Sequence, residues 1–232
     1  MTSTPSILII GASRGLGLAM AGEFLKKHWN VLGTVRGTTR TPMHDLADQH
    51  PDRLGIESVD INEPAQVEAL GARLGARTFD IVFVNAGTTN RDPTQTIAEV
   101  TTDDFVQLMI TNALSPMRTV EALQPHVAPG GMIGVMSSGQ GSIANNEKGL
   151  RELYRGSKAA LNMFMRSFAA RTAEARRPLV VMAPGWVRTD LGGPEGTLSV
   201  DESIPRVVDV LLAKRARPGL EYLDYLGQTV PW

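Results

Sequence analysis

Short apolar runs alternate with longer segments of helical period along almost the whole chain, and few folds accommodate that order. The runs are Ile7-Leu8-Ile9-Ile10 and residues 31–35, 54–59, 81–84, 132–136 and 179–183. Most are apolar throughout rather than alternating, as parallel strands become when both faces are covered. Between them, residues 17–27, 64–74, 103–123 and 150–172 place apolar side chains three and four positions apart, the spacing of an amphipathic helix. Parallel strands joined through helices need right-handed crossovers. The expected fold is therefore α/β, a doubly wound parallel sheet in three α/β/α layers. The 232 residues fit a single domain, 1–232. One glycine-rich stretch, about 188–200, breaks the pattern and is expected to be a loop.

Composition narrows the functional classes. A formal net charge of −1 gives no electrostatic basis for binding nucleic acid or an anionic membrane. Without cysteine there is no disulfide, no thiolate metal site and no cysteine nucleophile. Four histidines, His28, His44, His50 and His126, lack the spacing of metal ligands; they are expected at the surface, with no metal bound. The stretch Met1–Pro5 is short and polar, unlike a secretory signal, and no apolar run approaches the roughly 20 residues that span a bilayer. The expectation is a soluble, cytoplasmic protein.

At the end of the first run the chain reads Ile10-Gly11-Ala12-Ser13-Arg14-Gly15-Leu16-Gly17 and then turns helical. Glycines let a pyrophosphate approach the backbone there, and the free N–H groups of a helix start favour its charge. The spacing is G-x-x-x-G-x-G rather than G-x-G-x-x-G. Its place at the first strand–helix junction is nevertheless that of a dinucleotide site in a Rossmann-type fold. An NAD-specific site usually carries an acid at the end of the second strand. Here that strand ends Thr34-Val35-Arg36-Gly37. Arg36 and Arg14 are two guanidiniums suited to a 2′-phosphate, so NADP(H) is favoured and NAD(H) stays open as the alternative.

Farther on, Tyr154-Arg155-Gly156-Ser157-Lys158 puts a phenol and an ammonium one helical turn apart. A phenol with a pKa of about 10 is a poor proton shuttle at neutral pH. An adjacent ammonium favours the phenolate, so Lys158 is expected to lower the pKa of Tyr154. Other motifs follow in order: Asn85-Ala86-Gly87 after the fourth run, Asn112 in the next helix, and Ser137-Ser138 after the fifth run. After the sixth comes Pro184-Gly185-Trp186-Val187-Arg188-Thr189-Asp190. Together with the glycine turn and the Tyr154–Lys158 pair, this set resembles the short-chain dehydrogenase/reductase family over essentially the whole chain. The compact length and the ending from Asp224 to Trp232 resemble its short branch of C-factor-like and sniffer-like carbonyl reductases.

The resemblance implies an oxidoreductase working between a carbonyl and an alcohol on a small-molecule substrate. Tyr154 would give or take the proton, Ser138 would hold the substrate oxygen, and Lys158 would tune Tyr154 and bind the nicotinamide ribose. Asn112 would hold a water linking Lys158 to solvent. Gly11, Ser13, Arg14, Gly15, Leu16, Gly17 and Arg36 belong to the cofactor's phosphate side, and Asp60 and Ile61, ending the third strand, to its adenine. Asn85, Ala86 and Gly87 would pass beneath the adenosine ribose, with Pro184, Gly185, Val187 and Thr189 beside the nicotinamide. Ser138 is preferred to Ser137 from motif alignment. Three departures from the family pattern stand out. They are Ile10 where threonine is usual, Val84 in place of the first asparagine of N-N-A-G, and a long interval between Ser138 and Tyr154. Substrate contacts are expected from residues 88–93, 139–146 and 186–200. The helix around Ala159, Ala160, Leu161, Met163, Phe164 and Phe168 is apolar over more than one stripe, so a homodimer or homotetramer is expected. A dinucleotide-binding regulatory protein with little turnover is the second reading, although a sensor has no need of Ser138 and Tyr154 together.

Overall fold

The computed structural model describes residues 4–90 and 92–232. Among them, seven strands form one parallel sheet: β1 (Ser6–Ile10), β2 (Asn30–Val35), β3 (Leu54–Ser58), β4 (Phe79–Val84), β5 (Val127–Met136), β6 (Pro178–Ala183) and β7 (Gly219–Asp224). Their order is β3-β2-β1-β4-β5-β6-β7. Strand β1 pairs with β2 on one side and β4 on the other. The direction of strand addition reverses between β1 and β4, which opens a crevice at their carboxyl ends. The helices are α1 (Gly15–Lys26), α2 (Pro42–Gln49), α3 (Pro64–Leu74), α4 (Thr102–Met109), α5 (Ser115–Leu123), α6 (Glu152–Arg171) and α7 (Val200–Lys214).

The unbroken apolar runs are explained by two cores, one on each face of the sheet. Ile7 and Ile9 pack with Met20 and Phe24 of α1 and with Val207 and Leu211 of α7. Their neighbours Leu8 and Ile10 point the other way, into Val67 and Leu70 of α3, Val120 of α5 and Leu161 of α6. Successive side chains of a strand alternate faces, so a strand covered on both sides favours apolar residues at successive positions. Each buried side chain of this size contributes about 1.5–3 kcal/mol, and a one-residue slip would disturb both cores together.

Helix starts carry local signals. Pro64 opens α3, where the missing N–H costs nothing. At α7 the Ser199 hydroxyl accepts from the Glu202 N–H at 3.1 Å, and the Glu202 carboxylate accepts from the Ser199 N–H at 2.7 Å. That reciprocal cap satisfies two donors of the first turn.

The structure corrects several expectations. The segment 103–123 is helical throughout, but a π turn over Ile110–Leu114 interrupts the α-helical hydrogen bonding between α4 and α5. The third strand stops at Ser58, so Asp60 and Ile61 lie in the turn after it. Elements α2, α7 and β7 were not among the periodic segments. Strand β7 is an edge strand pairing β6, and Glu221 and Asp224 interrupt its apolar residues as one exposed side allows. His126 is buried rather than at the surface, with Nδ1 3.1 Å from the Arg77 carbonyl, and His44 closes the cap of α2. The loop at 188–200 ends one residue early, at Ser199, and is tied to itself by a bridge between Val187 and Leu198. Residues 1–3 and Arg91, which fall within the stretches Met1–Pro5 and 88–93, lie outside the described residues.

Candidate active site

The loops at the carboxyl ends of β1, β4, β5 and β6 bring most of the sequence-selected residues together. In the first loop, Gly11 has φ +87°, and a side chain there would start 2.9 Å from Ala86. A side chain on Gly17 would start 2.1 Å from the Gly11 carbonyl oxygen. Both positions therefore require glycine. The turn is pinned to its neighbours: the Gly11 N–H donates to the Thr34 hydroxyl at 2.9 Å and the Ala12 N–H to the Thr34 carbonyl at 2.7 Å. Asn85 Nδ2 donates to the Gly11 carbonyl at 2.7 Å, and the Asn85 and Ala86 N–H groups both reach the Ile10 carbonyl.

Helix α1 starts from this turn with no capping side chain and no acid in its first turn, unlike α4 and α7, which Thr101 and Ser199 cap. Gly15, at φ +57°, has open space where a side chain would point. An uncapped helix start with glycine-lined access fits a dinucleotide pyrophosphate. Arg14, Ser13 and Leu16 belong to the same turn, and the Arg14 guanidinium lies 3.8 Å from Asp190, both exposed. Arg36 is exposed just beyond β2, at the same end of the sheet. Asp60 is held by its own turn, accepting from the Asn62 N–H at 2.9 Å, and Ile61 is buried in the core.

Helix α6 carries the second half of the site. It enters through three successive left-handed residues, Gly149, Leu150 and Arg151, with φ of 62°, 58° and 54°. Two non-glycine residues in that region are strained, and the Arg151 N–H is anchored on the Pro93 carbonyl at 2.9 Å. From there Tyr154, Lys158 and Asn162 recur every four residues on the buried face. Ser138, the residue after the β5 loop's Ser137, lies beside the buried Tyr154 hydroxyl and favours its ionised form. Ser137 faces elsewhere, donating to Asn162 Oδ1 at 2.7 Å. Of the two serines, Ser138 is the one on the Tyr154 side.

Burial dominates the electrostatics. It raises the Tyr154 pKa above its ordinary value, opposed by the Ser138 hydrogen bond and the Arg151 charge. Lys158 is pushed down to about 8, again by burial. The expected lowering of Tyr154 by Lys158 is therefore not what this arrangement produces. Lys158 Nζ sits 5.9 Å from the centre of the Tyr154 ring and donates to the Met136 carbonyl at 3.1 Å. Gly87 leaves room beside it, since a side chain there would start 3.2 Å from Nζ and 3.4 Å from Asn112 Oδ1. Asn112, in the π turn, is fully buried. It accepts from the Thr88 N–H at 2.8 Å and donates to the Thr88 carbonyl and Ser157 hydroxyl. Both its N–H donors are taken, so this side chain braces the β4 loop against α6, while its Oδ1 keeps a lone pair for one further donor.

After β6, Gly185 has φ +86° and Pro184 offers its carbonyl to the buried Ser203 hydroxyl of α7 at 2.6 Å. Val187 is buried in its bridge with Leu198, and the Thr189 hydroxyl accepts from the Gly192 N–H at 3.0 Å. The two hollows of about 310 and 260 Å³ lie at the other end of the sheet, lined by residues such as Arg177 and Gly219, or Asn30 and Leu54. No cluster of three or more His, Asp or Glu suited to a metal occurs among the described residues.

The pattern for short chain dehydrogenases matches residues 5–197. This chain belongs to that family. A short-chain dehydrogenase/reductase of Burkholderia multivorans, crystallised with bound NADP, is 69% identical over 99% of this chain and 100% of its own, with a TM-score of 0.98. A carbonyl reductase of Pseudomonas aeruginosa PAO1, in complex with NADP, is 36% identical over 99% of this chain and 100% of its own, with a TM-score of 0.91. The C-signal protein of Myxococcus xanthus is 33% identical over 155 residues, 66% of this chain and 92% of that protein. The chain is thus a short-chain dehydrogenase, an oxidoreductase with the parallel three-layer fold. Sequence reasoning missed Arg151, Asn162 and Ser203 of this dehydrogenase. Only Asn162 had a readable signal, as the next four-residue step after Tyr154 and Lys158.

Proposed function

We propose that this dehydrogenase uses NADPH to reduce the carbonyl of a small-molecule substrate, and runs the reverse alcohol oxidation when cofactor ratios favour it. The observation that carries the reading is Tyr154, buried one turn from Lys158 with Ser138 beside its hydroxyl. When bound, the cofactor supplies the hydride that adds to the carbonyl carbon. Tyr154 protonates the carbonyl oxygen as the new C–H bond forms, and Ser138 holds that oxygen by a hydrogen bond. A phenol kept protonated by burial suits the donor role in reduction. Lys158 returns a proton toward Tyr154 and binds the ribose hydroxyls; Asn112 keeps the β4 loop in register with α6.

Gly11, Ser13, Arg14, Gly15, Leu16 and Gly17 would receive the pyrophosphate, with Asn85, Ala86 and Gly87 beneath the adenosine ribose and Asp60 and Ile61 by the adenine. Pro184, Gly185, Val187 and Thr189 would border the nicotinamide, and the loop at 188–199 would cover the substrate. The absence of an acid after β2 and the exposure of Arg14 and Arg36 support NADPH over NADH. The Arg14–Asp190 contact is an exposed pair of small worth, so Arg14 is free to exchange it for a phosphate. Bound NADP in the Burkholderia and Pseudomonas relatives points the same way. We further propose a cytoplasmic homo-oligomer; no described helix is long and apolar enough to cross a membrane.

Replacing Tyr154 with Phe is expected to lower turnover by about 10²–10⁴-fold while NADPH affinity, read by fluorescence titration, stays within about threefold. A Tyr154→Phe enzyme that kept most of its activity would refute the assignment. The likeness to C-signal favours a second reading, a regulatory NADP(H)-binding protein with little turnover. NADPH oxidation across a panel of ketones, aldehydes and quinones separates the two, since a regulator would turn over none of them.

A further inference from the structure

The geometry points to Tyr222, on the edge strand β7, as a positioning residue that holds Ser138 through its main chain, with the segment after β7 clamping the loop beyond. The inference rests on the role given to Ser138 above. Tyr222 is buried, and its hydroxyl donates to the Ser138 carbonyl. That carbonyl also accepts from the Gly141 N–H at 2.8 Å, so both of its lone pairs are used. The Ser138 hydroxyl in turn accepts from the Gln140 N–H at 3.1 Å, closing a tight turn over Gly139–Gly141.

Two further ties hold the same turn. Asn162 binds the Ser137 hydroxyl at 2.7 Å and the Gly141 carbonyl at 3.2 Å. The Trp232 ring packs on Tyr222 with centres 5.2 Å apart, and the Arg166 guanidinium lies 4.7 Å from the Trp232 ring centre. The Trp232 carbonyl accepts from the Ala144 N–H at 3.1 Å, within the stretch expected to meet substrate. A phenol has two side-chain torsions, and here both neighbours restrict them. Burial moves the Tyr222 pKa up to about 12, which keeps it a donor throughout the neutral range. A reacting group must be held within about 0.5 Å, and a 1 Å error costs about 10²-fold in rate. Tyr222 thus supplies a rigid reference, drawn from the far end of the chain, for the serine that meets the substrate.

Tyr222→Phe keeps the ring against Trp232 and removes only the hydroxyl. Expected is a fall in kcat of about tenfold, with NADPH affinity within about twofold of the unaltered enzyme. In a Ser138→Ala background the same change should cost less than about twofold, because no serine hydroxyl is left to misplace. An equal loss in both backgrounds, or no loss in either, overturns the proposal. Hydrogen exchange on the cofactor-free protein gives a readout independent of turnover. The Gly141 and Ala144 amides should exchange about tenfold faster in Tyr222→Phe and in Trp232→Ala. If the unaltered enzyme reduces no carbonyl, the reading of the reaction fails and exchange alone decides the clamp. Unchanged protection in both variants overturns it.

Discussion

Lys158 is enclosed by the fold with one hydrogen bond, to the Met136 carbonyl, and burial is the sole cause of its shift. The fold therefore encloses an ammonium that its surroundings do little to offset. The sign of the pH effect follows. With a folded pKa of about 8 and an ordinary value of 10.5, the unfolded chain binds more protons between those limits, so stability rises with pH across that window. Above about 10, Tyr154 acts in the opposite sense, because its raised pKa makes the folded state the better proton binder there. Lys158→Met removes the charge and keeps much of the volume. It is expected to stabilise the ligand-free protein at pH 7 by on the order of 1–3 kcal/mol, or about 2–4 °C in Tm per kcal/mol, and to lose turnover. Calorimetry at pH 7 and pH 9 checks this, since the gap between the variants should narrow at the higher pH. A Lys158→Met protein less stable than its parent at pH 7 would mean that Lys158 is better satisfied than its contacts indicate.

Within α1, two glycines with the same sequence character have opposite physical meanings. Gly17 faces the Gly11 carbonyl across the turn, whereas Gly22 has nothing within 4 Å of a first side-chain carbon. Gly22→Ala should stabilise by about 0.5–1 kcal/mol through helix propensity alone. Gly17→Ala should lower Tm and weaken NADPH binding by more than about tenfold, read by thermal melts and fluorescence titration. If both alanines were tolerated equally, the close packing of the turn would not be what holds it. This contrast also marks how far the sequence was legible. Strands β1, β2, β4 and β6 announce themselves because both faces are buried, and the glycine turn because its place after β1 is chemically restrictive. Strand β7 does not, since Glu221 and Asp224 dilute its apolar pattern at the sheet edge. Helix α7 has a readable start in Ser199-x-x-Glu202. At the site, Tyr154, Lys158 and Ser138 were legible from spacing and motif order. Arg151 and Tyr222 were not: one depends on a left-handed turn and the other on an edge strand far away in the chain, neither of which has a local pattern.

At the scale of the whole molecule, the two helical layers differ in what they leave uncovered. Met163 and Phe164 on α6 are 57% and 43% exposed, and Phe105 and Val106 on the neighbouring α4 are 44% and 46% exposed. Buried partners on the same two helices, Leu108, Leu153 and Tyr154, show that their inward faces are already fully used. The exposed set therefore lies outside the core, where a symmetric contact between copies would cover it. Such a contact needs about 800 Å² from each partner. The paired substitution Met163→Glu/Phe164→Glu would place like charges on both sides of that contact. It is expected to convert a dimer or tetramer to monomer by light scattering at micromolar concentration, because repulsion repeats across the symmetry axis. The substituted side chains point away from Tyr154 and Lys158, so NADPH affinity should stay within about threefold. Loss of assembly with retained cofactor binding would assign this face to self-association. A parent protein that is already monomeric at those concentrations would refute it, and would leave the outer faces of α4 and α6 as ordinary surface.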